Sequence, residues 1–111
     1  MKFYIAYGLP ASGKSTYLRN LSGKYLDLDN RKIQDVKSII ENLNNGTYAL
    51  DLLIKDPNDF ITYLNDVHTN CEINIKILKT SRTICLERDK KRNINRQSQI
   101  LIKRMKLIPI L

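Results

Sequence analysis

A chain of 111 residues supports one domain with a single core and leaves little room for a separate substrate domain. Its 42% hydrophobic and 27% charged residues are ordinary for a globular protein and argue against a disordered or fibrous chain. The net charge of +8 is uneven: residues 1–75 hold eight Lys/Arg and nine Asp/Glu, while residues 76–111 hold eleven Lys/Arg against Glu87 and Asp89 alone, so a polyanionic ligand is expected to meet the last third.

Lys2 to Tyr7 (KFYIAY) is predicted as a strand. It runs into Gly8-Leu9-Pro10-Ala11-Ser12-Gly13-Lys14-Ser15, which fits the phosphate-binding pattern GxxxxGKS/T at every fixed position, and Ser15 to Leu21 continues as a helix. Lys24 to Leu28 has the alternation of a second strand, ending at Asp29 and the polar cluster Asn30-Arg31-Lys32. Ile33, Val36, Ile39, Ile40 and Leu43 recur at helical spacing until Asn44-Asn45-Gly46 stops the helix. The apolar run Tyr48 to Ile54 is expected to be a third, buried strand, and Asp56-Pro57 a helix start leading to an end near His68. Glu72 to Leu78 alternates as a fourth strand, Ser81 to Arg92 begins an increasingly basic helix, and Gln97 to Met105 is a last one. Alternating strands and helices predict an α/β domain over residues 1–111. It would have a parallel sheet of about four to five strands, helices on both faces and ligands at the carboxyl ends of the strands.

The spacing of the loop motif matches the chemistry of a nucleoside triphosphate. Gly8 and Gly13 allow a tight backbone path, so that N–H groups from Ala11-Ser12-Gly13 onward can approach phosphate oxygens, with Pro10, which has no N–H, shaping the same loop. Lys14 would reach the outer phosphates, Ser15 would ligate Mg²⁺, and Thr16 would stand beside the phosphates. Asp29, just past the second strand, is the candidate general base for an acceptor hydroxyl, or else a helix N-cap; Asp27 is the weaker substitute. Asp56, after Leu52-Leu53-Ile54-Lys55, is a candidate magnesium contact as well as a helix cap. Arg88 and Arg92, four apart, share a helix face and could close over the phosphates as a lid spanning about 81–96. Arg82, Arg96, Lys103 and Arg104 extend the positive surface. Tyr17 is expected in the core, and His68 at a helix end or the surface. Cys71 and Cys85, without a CxxC spacing, are expected to be reduced core thiols. No run of eighteen apolar residues occurs, and a cytoplasmic protein without membrane contact is expected.

With GLPASGKST after KFYIAY as its strongest stretch, the chain resembles the kinase domain of phage polynucleotide 5′-hydroxyl kinase and its P-loop kinase relatives. LLIKDP is similar to the third-strand segment of that family, and EINIKIL with TICLERDKKR to its fourth strand and arginine-bearing lid. The resemblance implies a three-layer P-loop kinase fold and transfer of the ATP γ-phosphoryl group to a hydroxyl, with a 5′-hydroxyl nucleic acid end as the characteristic acceptor. It implies Asp29 as catalytic aspartate, Arg88 and Arg92 as lid arginines, and Arg31 or Lys32 in the place of the family arginine that follows the aspartate by three residues. The region between the second and third strands is shorter than in full-size relatives. A reduced kinase of this kind could take a nucleoside or nucleotide instead, or keep ATP binding without turnover and engage a nucleic acid or protein partner.

Overall fold

Four strands form where alternation or a short apolar run was predicted: Lys2–Tyr7 (β1), Lys24–Asp27 (β2), Thr47–Asp51 (β3) and Glu72–Ile77 (β4). The computed structural model describes residues 1–92 and 96–111, with the backbone alone for Arg96 and Gln97. All strands run parallel in the order β2-β3-β1-β4, so the chain crosses over between successive strands rather than turning back in hairpins. The crossovers carry Lys14–Arg19 (α1), Ile33–Glu41 (α2) and Pro57–Val67 (α3); Arg82–Lys91 (α4) and Arg96–Arg104 (α5) follow β4.

The period of two along each strand sorts the core into two sets. Phe3, Ile5 and Tyr7 of β1 and Leu50 of β3 pack with Val36 and Ile40 of α2, Leu64 of α3, Cys85 of α4 and Ile102 of α5. Ala6 and Ala49 point the other way, where α1 contributes Leu18 and Tyr17. Small residues on that face let the short α1 lie close to the sheet. The central strands β1 and β3 are therefore covered on both sides, as expected of a parallel sheet.

The third strand is shorter than predicted. Thr47–Asp51 ends at Asp51, and Leu52-Leu53-Ile54 continue the apolar run as a loop, with Leu28 N–H donating to Asp51 O (2.8 Å) past the paired region. Apolarity alone does not separate strand from buried loop. This moves the carboxyl edge of the sheet back to Asp51, opposite Asp27 in the β2–β3 register.

Arg82 ties α4 to the end of α5, its guanidinium donating to Ile102 O and Met105 O, both at 2.5 Å, so this cation serves helix packing and not the free positive surface. His68 ends α3 with Nε2 against Ile40 O (2.6 Å) and its ring 5.5 Å from Phe3, the structural position expected for it. Cys85 is buried in the core and Cys71 half-buried beside it; both are free thiols. Burial pushes the Cys85 pKa up, so the thiol form is favoured there. Among the described residues no helix is long and apolar enough to cross a membrane.

Candidate functional site

The loop between β1 and α1 curls at the carboxyl edge of the sheet. Gly13 takes φ 101° and Ala11 φ 62°, left-handed values, and with glycine at its N-cap α1 has no side-chain cap. Ala11 carries a side chain in a region that favours glycine, a local cost of about 1–2 kcal/mol of the kind that functional loops retain. Ser12 N–H donates back to Leu9 O (3.1 Å), and Thr80 Oγ1 donates to Ser12 O (2.9 Å), anchoring the loop to the segment after β4. Gly8 is required for space: a Cβ there would meet Ser12 Oγ at 2.8 Å and the backbone Leu78 O at 2.9 Å. Gly8→Ala should therefore lower the free energy of unfolding by about 1–3 kcal/mol, read from the denaturant midpoint.

Lys14 opens α1 and is buried, with Nζ donating to Leu9 O (3.1 Å) and Gly8 O (3.3 Å). The ammonium thus lies inside the ring of the loop. Burial holds its pKa below the usual lysine value, partly offset by the carboxylates of Asp29 and Asp51. A cavity of about 480 Å³ opens in front of it, lined among others by Pro10, Ala11, Gly13, Ser15 and Thr16 from the loop side and by Asp29 and Leu53 from the ends of β2 and β3.

Asp29 lines the same cavity as Lys14. It caps no helix: α2 begins at Ile33 with Lys32 in the N-cap position and no side-chain cap bond. Its Oδ1 accepts from Leu53 N–H (3.1 Å), and its own N–H donates to Asp27 Oδ1 (3.2 Å). Loss of water around the carboxyl, and then the charge of Asp51, hold the Asp29 pKa above the ordinary carboxylate value.

Asp56 lies outside the lining of this cavity and fills the helix-cap role that was the other expectation for it. Its Oδ1 accepts from Asn58 N–H (3.1 Å) and Asp59 N–H (3.2 Å) at the start of α3. Asp56→Ala should cost about 1 kcal/mol of stability and leave nucleotide-dependent behaviour unchanged, measured by melting and by nucleotide titration side by side.

The carboxylate at the end of the third strand is Asp51. It is 1% exposed, Tyr25 on β2 donates its hydroxyl to Oδ2, and Oδ1 is buried without a hydrogen-bond partner among the described residues. Burial, followed by the bond to Asp51, raises the Tyr25 pKa and keeps the phenol a donor. An aspartate hidden inside the apolar run Tyr48 to Ile54 was the available signal, since an unpaired acid in a buried strand needs a reason. Asp27, Asp29 and Asp51 each present an oxygen within 4.8 Å of the others, a donor set that suits a hard cation such as Mg²⁺.

Arg88 and Arg92 arrive on one face of α4 and its C-cap, as the spacing predicts. Arg88 Nη1 donates to Ala11 O (3.3 Å), while Arg92 lines both the first cavity and a second of about 590 Å³ bounded by Ser12, Gly13, Thr16, Tyr17 and Asn20. Tyr17 packs with the α1 core cluster and shows an edge to this second cavity. Asp89, between the two arginines, is 1% exposed and lines the first cavity, a placement that the basic run RDKKR concealed. The two basic residues after Asp29 stay outside both cavity linings: Arg31 Nε donates to Asp27 O (3.2 Å), and exposed Lys32 precedes α2. Of the expected lid, residues 93–95 and the side chain of Arg96 lie outside the described residues. Comparison with protein-family models, characterised proteins and solved structures finds no match to this chain.

Proposed function

We propose that the chain is a P-loop kinase that moves the γ-phosphoryl group of ATP to a hydroxyl, with a polynucleotide 5′-hydroxyl as the favoured acceptor. The observation that carries this reading is the placement of Lys14 within the glycine loop, lining one cavity together with Asp29. The loop and Lys14 would hold the outer phosphates. Lys14 leaves its carbonyl partners for the phosphate oxygens, which are stronger acceptors for an ammonium. Ser15, which lines the cavity, and Asp51 fit a magnesium ion, which when bound with the nucleotide neutralises charge on the outer phosphates.

Asp29 accepts the proton of the acceptor hydroxyl as its oxygen bonds to the γ-phosphorus and the bond from that phosphorus to the bridging oxygen breaks, leaving ADP. Arg88 and Arg92 stabilise the charge that develops on the transferring group. The eleven Lys/Arg of residues 76–111 favour a polyanionic acceptor over a neutral nucleoside. Incubation with γ-labelled ATP, magnesium and a panel of 5′-hydroxyl oligonucleotides, nucleotides and nucleosides tests the reading. Label is expected on the oligonucleotide 5′ end, with transfer weakening as salt rises; label on nucleosides alone would replace the acceptor, and no label on any of them would remove the kinase.

A further inference from the structure

The geometry points to a binding site for a hard divalent cation at Asp27, Asp29 and Asp51 that fills without any nucleotide. It stands on the carboxylates and not on the phosphate-loop reading. Parallel pairing sets Asp27 of β2 opposite Asp51 of β3, so both side chains leave the sheet on the same side, one strand spacing apart. The turn after β2 brings Asp29 back to them, within the 4.8 Å that contains one oxygen of each. Like charges paired across a ladder repel; Lys14 offsets part of that charge, but its Nζ hydrogen-bonds the loop carbonyls and Arg31 Nε the backbone carbonyl of Asp27 rather than a carboxylate.

Asp51 gives the independent sign of a ligand. Its Oδ2 is fixed by the Tyr25 hydroxyl, while Oδ1 is buried and has no hydrogen-bond partner among the described residues. A buried carboxyl oxygen without a partner is unfavourable, and a phenol on the other oxygen is the kind of outer contact that orients a carboxylate toward an ion. Oxygen donors alone select hard cations over soft ones. With metal–oxygen distances of about 2.4 Å for Ca²⁺ and about 2.1 Å for Mg²⁺, one ion can touch oxygens up to about 4.8 or 4.2 Å apart. Three oxygens within 4.8 Å of one another can therefore share a single hard cation. Asp29 also lines the cavity in front of the loop, and Asp27 is exposed, so the cluster is open to solvent.

Nucleotide-free full-length chain is titrated with Mn²⁺, free ion being followed by electron paramagnetic resonance, with Mg²⁺ and Ca²⁺ as competitors. One saturable site is expected, displaced by either competitor and weakened at least tenfold in both Asp27→Asn and Asp51→Asn. Asn can keep the Tyr25 hydrogen bond, and circular dichroism would confirm that both variants fold. If Asp51→Asn is nevertheless unfolded, Asp27→Asn, at an exposed position, decides alone. Uptake that never saturates, or that both substitutions leave unchanged, overturns the site. Cation uptake by a chain that transfers no phosphoryl group would keep this inference and remove the kinase, and transfer without nucleotide-free uptake would do the reverse.

Discussion

Replacing Asp29 with Asn should slow phosphoryl transfer by two to four powers of ten, roughly the range of a positioned general base, while ATP still binds. The same change should make the fold more resistant to heat at neutral pH. The Asp29 carboxyl has a folded-state pKa above its unfolded value of 3.8 because it loses water and faces Asp51. A carboxyl shifted upward is a net cost to the fold while ionised, and the cost disappears as pH falls through the folded pKa. Melting temperature should therefore rise in the variant at pH 7 and converge with the parent chain below the ordinary carboxylate range. Asn can retain the bond from Leu53 N–H, so the backbone has no reason to move. A group that weakens the fold where chemistry is expected is the pattern of a functional residue. Unchanged turnover, or a loss of heat resistance at pH 7, would show that Asp29 supports structure and not transfer.

Lys14→Met should weaken binding of magnesium ATP by roughly 10- to 100-fold, the span expected for one hydrogen bond to a charged group. Met preserves the length of the side chain and most of its packing under the loop, and it removes an ammonium whose pKa burial already lowers. The folded state should consequently survive. Calorimetric titration gives the affinity and a thermal melt gives the fold. Equal affinity in both chains would mean that the ammonium remains on Gly8 O and Leu9 O when nucleotide binds.

Much of the sheet was legible because its signals are local. KFYIAY and EINIKI alternate, α2 has apolar residues at helical intervals, and Asp56-Pro57 and Ser81 cap the helices they were expected to precede. The loop motif announced itself through fixed positions, and Asp29 through its place after a strand. Asp51 was visible in the sequence only as an acid inside an apolar run; its place beside Asp27 depends on where β3 stops and on the strand register. Asp56 drew attention for the converse reason: a cap and a strand-end acid look alike when the strand is taken three positions too far in a run such as LDLLIKDP. Asp89 sits among basic neighbours, and only the helix rotation that turns it inward distinguishes it from a solvated charge. Arg82 shows the same limit in the opposite sense, a cation in a basic stretch whose partners are carbonyls at the end of α5.

Calorimetric titration of the folded chain with ATP and magnesium tests the phosphate cradle most directly. Saturable one-to-one binding is expected, lost or strongly weakened in Lys14→Met and retained in Asp56→Ala. Absence of heat and of any nucleotide-dependent rise in melting temperature, with either ATP or GTP, would contradict the account at its base.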